Sequence, residues 1–231
     1  MIDWHNHVLP AMDDGSRDVA ESIAMLGMHA AQGVDTVIAT PHFYANDESV
    51  DSFLERRRKS YETLKRQLPS DAPAILLGAE VKYYQGISRL ADLKKLRIEG
   101  SQLLLLEMPM NTWTESMIRE LIELSGKGGL RIILAHIERY LHLQGRDVWD
   151  RLGESGILMQ TNASFFTALS TKRKAMTLLR EGNIHFLGSD CHNLTSRPPR
   201  IGKAFEAIQK KLGVEYIQLM NEYGQSVLRQ E

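Results

Sequence analysis

Apolar positions along this chain gather into seven short runs separated by longer amphipathic stretches. The first opens at Ile2 and leads into Asp3-Trp4-His5-Asn6-His7; the others cover 34–40, 74–79, 103–106, 132–135, 157–162 and 184–189. Runs this short and this rich in branched residues read as strands. Between them, apolar residues recur at helical spacing. Val19, Ile23, Leu26 and Ala30 share one face of a helix predicted over 19–32, with Gly33 as its stop. The same reasoning predicts helices over 49–68, 90–96, 114–125, 146–154, 172–181, 200–212 and 216–228. Alternating strands and helices imply parallel pairing with right-handed crossovers. Continuous apolar strands imply cover on both faces.

Polar residues are not spread evenly over these runs. They stand at the C-terminal ends: His5 and His7, His42, Glu80, Glu107, His136, then Asp190 and His192. In a βα barrel those ends share one rim and can converge, whereas an open doubly wound sheet would spread them. The expectation is an α/β fold of one domain over 1–231, a distorted TIM-like barrel with seven strands instead of eight.

Composition narrows the class. The chain of 231 residues carries a formal net charge of −1, which gives no basic face for nucleic acid or acidic membrane. Cys191 is the only cysteine, so no disulfide forms within the chain. No apolar run approaches the ~20 residues that span a bilayer, and no basic segment precedes an apolar one at the start. The expected location is the cytoplasm, without membrane insertion.

The rim set, with Asp14 from the loop after the first strand, is His5, His7, Asp14, His42, Glu80, Glu107, His136, Asp190 and His192. His5 and His7, at i and i+2, face one side of a strand and can share a metal ion. Nitrogen and oxygen donors suit Mn²⁺, Zn²⁺ or Fe²⁺. Four carboxylates at one mouth repel unless cations intervene, and nine donors exceed the needs of one ion. Two or three ions fit the count. Three divalent ions bring about +6 against −4 from carboxylates and −1 from hydroxide, leaving a site that favours an anion. Metal coordination also lowers the pKa of bound water toward ~7. Arg139 and Arg197 follow candidate ligands, and guanidinium grips phosphate oxygens in pairs. The set is suited to hydrolysing a phosphate ester.

His5-Asn6-His7, Asp13-Asp14-Gly15, Gly78-Ala79-Glu80, Ala135-His136-Ile137-Glu138-Arg139-Tyr140, Ser189-Asp190-Cys191-His192-Asn193 and Arg197-Pro198-Pro199 resemble motifs of the PHP (polymerase and histidinol phosphatase) superfamily. More narrowly, the chain resembles bacterial manganese-dependent protein-tyrosine phosphatases of capsule and exopolysaccharide operons. The resemblance implies three metals. His5, His7, Glu80 and Asp190 would hold one, Glu80, Glu107 and His136 a second, and Asp14, His42 and His192 a third. It implies phosphate binding by Arg139 and Arg197, with His42 and Asp190 also at the reacting centre. The implied partner is the tyrosine-rich tail of an autophosphorylating kinase that controls polysaccharide export. The alternative is a phosphoesterase for a small phosphomonoester of the histidinol-phosphate kind. The chain departs from the family pattern at Ala163, where serine is common, and at Cys191, where methionine is common.

Other features have plainer readings. Cys191 and Arg197 stand in the C-x₅-R spacing of cysteine-dependent tyrosine phosphatases. The intervening His192-Asn193-Leu194-Thr195-Ser196 has no glycine to wrap a phosphate, and alternation turns Cys191 away from its neighbours. The spacing is therefore taken as coincidence. Spacing does not choose between Asp13 and Asp14; only the resemblance selects Asp14. His29, His142 and His185 read as structural. Arg56-Arg57-Arg58-Lys59 reads as a solvated helix face. Phe43-Tyr44 and Met108-Pro109-Met110-Asn111-Thr112-Trp113 follow rim residues and could line a slot for an aryl ring. The apolar faces of the last two helices suit either self-association, as a homo-oligomer, or cover for the barrel.

Overall fold

The computed structural model describes residues 1–229. Among the described residues nine strands run parallel to their neighbours. They are β1 (Ile2–Asn6), β2 (Thr36–Ala39), β3 (His42–Phe43), β4 (Ala74–Leu77), β5 (Glu80–Lys82), β6 (Leu103–Glu107), β7 (Arg131–Leu134), β8 (Leu158–Asn162) and β9 (Phe186–Gly188). One sheet has the order β1-β2-β4 and the other β3-β5-β6-β7-β8-β9. Hydrogen bonds from Asp190 N–H to His5 O (2.7 Å) and from His7 N–H to Cys191 O (3.0 Å) join the end of β9 to β1. The result is an α/β fold whose parallel strands curl toward one another.

Nine strands among the described residues replace the expected seven because two short strands, β3 and β5, follow the predicted runs 34–40 and 74–79. Pro41, which has no N–H to offer a ladder, separates β2 from β3. Gly78 and Ala79 separate β4 from β5, and Gly78 N–H crosses to Ala39 O at 2.8 Å. A Cβ at Gly78 would meet Ile98 Cγ1 at 3.2 Å and Thr40 Cγ2 at 3.4 Å, so the two breaks pack closely. The Gly78 carbonyl, freed from the ladder, accepts from Arg57 Nη1 at 2.5 Å. Arg57 is thereby buried, which corrects the reading of 56–59 as a uniformly solvated face. Arg58 and Lys59 are exposed as expected.

The helices are α1 (Val19–Ala31), α2 (Val50–Lys65), α3 (Glu115–Leu124), α4 (Arg146–Glu154), α5 (Ser164–Thr167), α6 (Lys172–Arg180), α7 (Ile201–Leu212) and α8 (Val214–Leu228). Asp18, Ser49 and Thr114 cap α1, α2 and α3 by accepting from backbone N–H groups three residues on. The helix predicted over 90–96 is instead two 3₁₀ turns, Ile87–Arg89 and Leu93–Leu96.

Inside the curl, Ile2, Trp4, Leu103, Leu105, Ile133, Leu158 and Phe186 form a buried cluster with Val227 of α8. Trp4 stacks on Phe186 with ring centroids 3.7 Å apart. A Cβ at Gly224 of α8 would lie 2.9 Å from Trp4 Cζ2. The last helix therefore covers this end of the cluster, which is the second of the two roles its apolar face allowed. A register shift between Asp3 and Asn6 lets His5 follow Trp4 toward the interior. Gly188 permits it, since a Cβ there would sit 2.5 Å from His5 Cβ.

Asp3 faces away from that cluster. Its carboxylate accepts from His29 Nε2 (2.6 Å), Ser189 Oγ (2.6 Å) and Ser189 N–H (2.8 Å). His29 Nδ1 donates to Met25 O at 2.9 Å, so both ring nitrogens donate and the imidazole is charged. Burial pulls the His29 pKa down, but the bond to Asp3 and the neighbouring Cys191 together outweigh it and raise the value to about 10. A raised folded-state value stabilises fully below the unfolded pKa near ~6.5 and is lost as pH climbs through about 10. His29→Gln should cost about 3 kcal/mol of stability, the scale of breaking a buried pair. It should also flatten the fall of Tm between about pH 7 and pH 10. An unchanged Tm at neutral pH would remove this pair from the stabilising contacts.

Candidate metal centre

The C-terminal ends of the strands bring all nine rim residues into one cluster. His5 Nε2 and His7 Nε2 are 3.2 Å apart, and Glu80 Oε2 lies 3.1 Å from the first and 3.3 Å from the second. Asp190 Oδ1 is 3.7 Å and 3.6 Å from the same two nitrogens. His136 Nε2 is 2.9 Å from Glu80 Oε1 and 3.7 Å from Glu107 Oε1. Asp14 Oδ1 is 3.3 Å from His192 Nε2 and 3.5 Å from His42 Nε2. His42 Nδ1 in turn is 3.0 Å from Glu80 Oε2. Four overlapping groups are tight enough to hold an ion: His5, His7 and Asp190; His5, Glu80 and His136; His42, Glu80 and Glu107; and His7, Asp14, His42 and His192.

Asp13 and Asp14 separate cleanly. Asp13 accepts from His7 Nδ1 (2.7 Å), His42 N–H (2.8 Å) and Gly15 N–H (2.9 Å), so its oxygens are spent on holding other groups. Asp14 is the exposed neighbour whose carboxylate reaches His42 and His192. Other histidines are also held from behind. Gln160 Oε1 lies 3.3 Å from His5 Nδ1 and accepts from His136 N–H at 2.7 Å. Tyr140 Oη is 3.2 Å from His136 Nδ1 and donates to Met108 O. His192 Nδ1 is 3.0 Å from Asp190 O. These contacts place the protons on Nδ1 and leave each Nε2 lone pair facing the cluster. Sequence reasoning missed Gln160, Tyr140 and Asn162, because single polar residues carry no spacing signal.

The electrostatics fit a cation. Burial tends to raise the Glu80 carboxyl, yet the histidines around it, His5 first and then His136 and His42, hold it well below the usual range. Burial likewise opposes ionisation of Asp190, but His5 and His7 lower its pKa strongly. Burial and the neighbouring His7 push His192 down to about 4, keeping its imidazole neutral and able to donate a lone pair. His42 Nδ1, Glu80 Oε2 and His192 Nε2 are buried without a well-formed hydrogen bond. Each such orphan costs about 1–3 kcal/mol, and divalent ions in the groups that contain Glu80, His42 and His192 would satisfy them. The residues present fit a metal centre.

Arg139 Nη2 donates to Asp190 Oδ2 at 2.5 Å, and Arg197 Nη2 to Asp190 Oδ1 at 2.8 Å. Asn162 Nδ2 adds a third bond to Asp190 Oδ2 at 2.8 Å. Both arginines are partly exposed and stand at the rim. Asp190 and His136 have φ of +51° and +34°, a strained backbone for non-glycine residues, at the ends of β9 and β7.

Cys191 is fully buried and points the other way, with Sγ 3.9 Å from His29 Nε2. His185 Nδ1 accepts from Met159 N–H at 3.0 Å, and burial lowers it to about 4. The expected aryl slot is smaller than its sequence stretches. Phe43, Met108 and Trp113 are core residues, while Tyr44 and Met110 are exposed. Tyr44 stacks on His42 with centroids 5.4 Å apart. Trp113 instead backs Tyr140.

The chain is 32% identical to tyrosine-protein phosphatase YwqE of Bacillus subtilis over 241 residues, covering 100% of this chain and 92% of that protein. It is 31% identical to tyrosine-protein phosphatase CpsB of Streptococcus pneumoniae, covering 93% and 92%. A chain from the crystal structures of YwqE and CpsB, described as unique metal-dependent tyrosine phosphatases, matches with TM-score 0.81 at 28% identity. That match covers 99% of this chain and 94% of the other. The sequence model described as capsular polysaccharide synthesis, CpsB/CapC, matches residues 1–229, and the chain belongs to that family.

Proposed function

We propose that this chain is a metal-dependent protein-tyrosine phosphatase that acts on the phosphorylated tail of a tyrosine kinase in capsular or exopolysaccharide synthesis. The observation that carries the reading is the convergence of nine nitrogen and oxygen donors beside two arginines that meet on Asp190. Relatives named as tyrosine-protein phosphatases favour it over a small-molecule phosphoesterase. Mn²⁺ is the proposed ion, and the cytoplasm the proposed location. No helix among the described residues is long and apolar enough to cross a membrane. We read β2 with β3 and β4 with β5 as single segments of a seven-stranded barrel, and the bonds between β9 and β1 support its closure. We read residues 1–231 as one such domain.

His5, His7, Glu80 and Asp190 would hold one ion, Glu80, Glu107 and His136 another, and Asp14, His42 and His192 a third. Divalent ions there would neutralise phosphate charge and acidify water for attack on phosphorus. Arg139 and Arg197 grip the equatorial oxygens and strengthen that grip as negative charge develops. Tyr44, exposed beside His42, offers a face to the tyrosyl ring. Glu80, Asp190 and the neutral His192 present lone pairs inward, while Asp13, Gln160 and Tyr140 fix the imidazole planes.

The test is hydrolysis of an aryl phosphate by protein stripped with chelator and reloaded with Mn²⁺, in parallel with Cys191→Ser. Loss on stripping, return with metal and an active Cys191→Ser variant are expected. Activity that survives chelation and vanishes in Cys191→Ser would overturn the metal reading. Asp13→Ala should weaken metal affinity by about 10–100-fold, the usual effect of losing a group that orients a ligand. Competition with a fluorescent chelator measures it; unchanged affinity would leave Asp13 only a turn former.

A further inference from the structure

Beside the metal centre lies a pocket of about 530 Å³ that shares Asp190, Arg139 and Arg197 with it and extends to Ser164, Arg200 and Lys203. Its lining has four cations and one carboxylate. Asp190 engages Arg139 and Arg197, whereas Arg200 and Lys203 make no ion pair or side-chain hydrogen bond among the described residues. Their backbone is nevertheless fixed. Gln32 Nε2 donates to Pro199 O at 2.9 Å, and Gln32 Oε1 accepts from Gly202 N–H at 2.8 Å. A Cβ at Gly202 would meet Gln32 Cβ at 2.9 Å, so this start of α7 is pinned against α1. The flank of the mouth at Tyr44 has the reverse sign: Asp47 and Glu48 line it with Tyr44, Arg56 is engaged by Glu48, and Asp14 stands between the two flanks, 3.7 Å from Arg197.

We propose that the pocket at Arg200 and Lys203 binds a second anionic side chain of the phosphopeptide, next to the phosphotyrosine being hydrolysed. This rests on the phosphatase reading of the adjoining site. One phosphate occupies Arg139 and Arg197, leaving two cations in a concave wall with no counter-charge. An acidic neighbour is repelled by the Asp47 flank and attracted by the Arg200 flank, so the polarity orients the peptide across the mouth. The occupant is a carboxylate or a second phosphate; both present oxygens to the same pair.

The experiment compares kcat/KM of the Mn²⁺-loaded full chain on three phosphotyrosine peptides: neutral neighbours, glutamate neighbours, and a second phosphotyrosine. Exposed ion pairs contribute up to about fivefold each, so the anionic peptides should be favoured by about tenfold at low salt and less at high salt. The double variant Arg200→Gln with Lys203→Gln should lose the preference and still turn over a small aryl phosphate. Arg200→Lys with Lys203→Arg should keep the preference. A gain with glutamate identifies a carboxylate occupant; a gain only with the second phosphotyrosine identifies a phosphate. A wild type without preference, or a preference that survives the double Gln variant, overturns the subsite while leaving the phosphatase intact. No turnover of aryl phosphate or peptide by the loaded chain overturns both.

Discussion

Asp190→Ala is expected to lower turnover by about 10³-fold or more, at or beyond the upper end of what losing one transition-state donor costs. One carboxylate here serves two purposes. It stands 3.7 Å and 3.6 Å from the Nε2 atoms of His5 and His7, where an ion would be shared. It also accepts from Arg139, Arg197 and Asn162, fixing the groups that would grip phosphate. Alanine removes the proposed metal donor and unties both arginines in one step. Asp190→Asn separates the two effects. Asparagine tolerates the positive φ of +51° at this position and keeps one oxygen acceptor, but it loses the charge. It should bind less metal than the wild type and lose less activity than alanine at saturating Mn²⁺. Metal content measured on dialysed protein, with kcat/KM on an aryl phosphate, distinguishes these outcomes. A fully active alanine variant with its full complement of metal would place Asp190 outside the centre.

The strand ends were legible because chemistry and periodicity coincide there. An apolar run followed by histidine or a carboxylate marks both a strand and its rim, and the eight residues so marked stand together with Asp14 from the loop after β1. Residues whose role depends on register were hidden. His5 follows Trp4 inward only because of the shift between Asp3 and Asn6, which Gly188 accommodates. Pro41 and Gly78 signalled the breaks after β2 and β4, but β3 and β5 beyond them are too short to carry an apolar run of their own. Arg57 looked like its charged neighbours; its burial follows from a carbonyl that the break at Gly78 exposes. Asp13 and Asp14 are chemically equal in sequence, and only the direction of each carboxylate divides them. Gln160 and Tyr140 orient histidines across distances of 155 and 4 residues, so no spacing rule covers both.

Arg139→Ala and Arg197→Ala should each lower kcat/KM by about 10²-fold, the scale of one preorganised donor to a developing charge. The two side chains approach the same carboxylate from different segments, Arg139 from the 3₁₀ turn after β7 and Arg197 from the loop before α7. A grip that tightens in the transition state lowers kcat as well as kcat/KM; a change confined to KM would mean equal binding of ground and transition states. The double variant should lose less than the product of the single losses, because each arginine is oriented by the Asp190 that the other also holds. Lysine at either position keeps the charge and loses the planar fork, so a loss of about tenfold is expected there. This series also discriminates between mechanisms. A cysteine phosphatase with the C-x₅-R spacing depends on Arg197 and has no use for Arg139. Comparable losses at both positions, with Cys191→Ser active, are the signature of a two-armed phosphate site beside a metal centre. Loss at Arg197 alone would return Cys191 to consideration, against its full burial on the far side of β9 from that site.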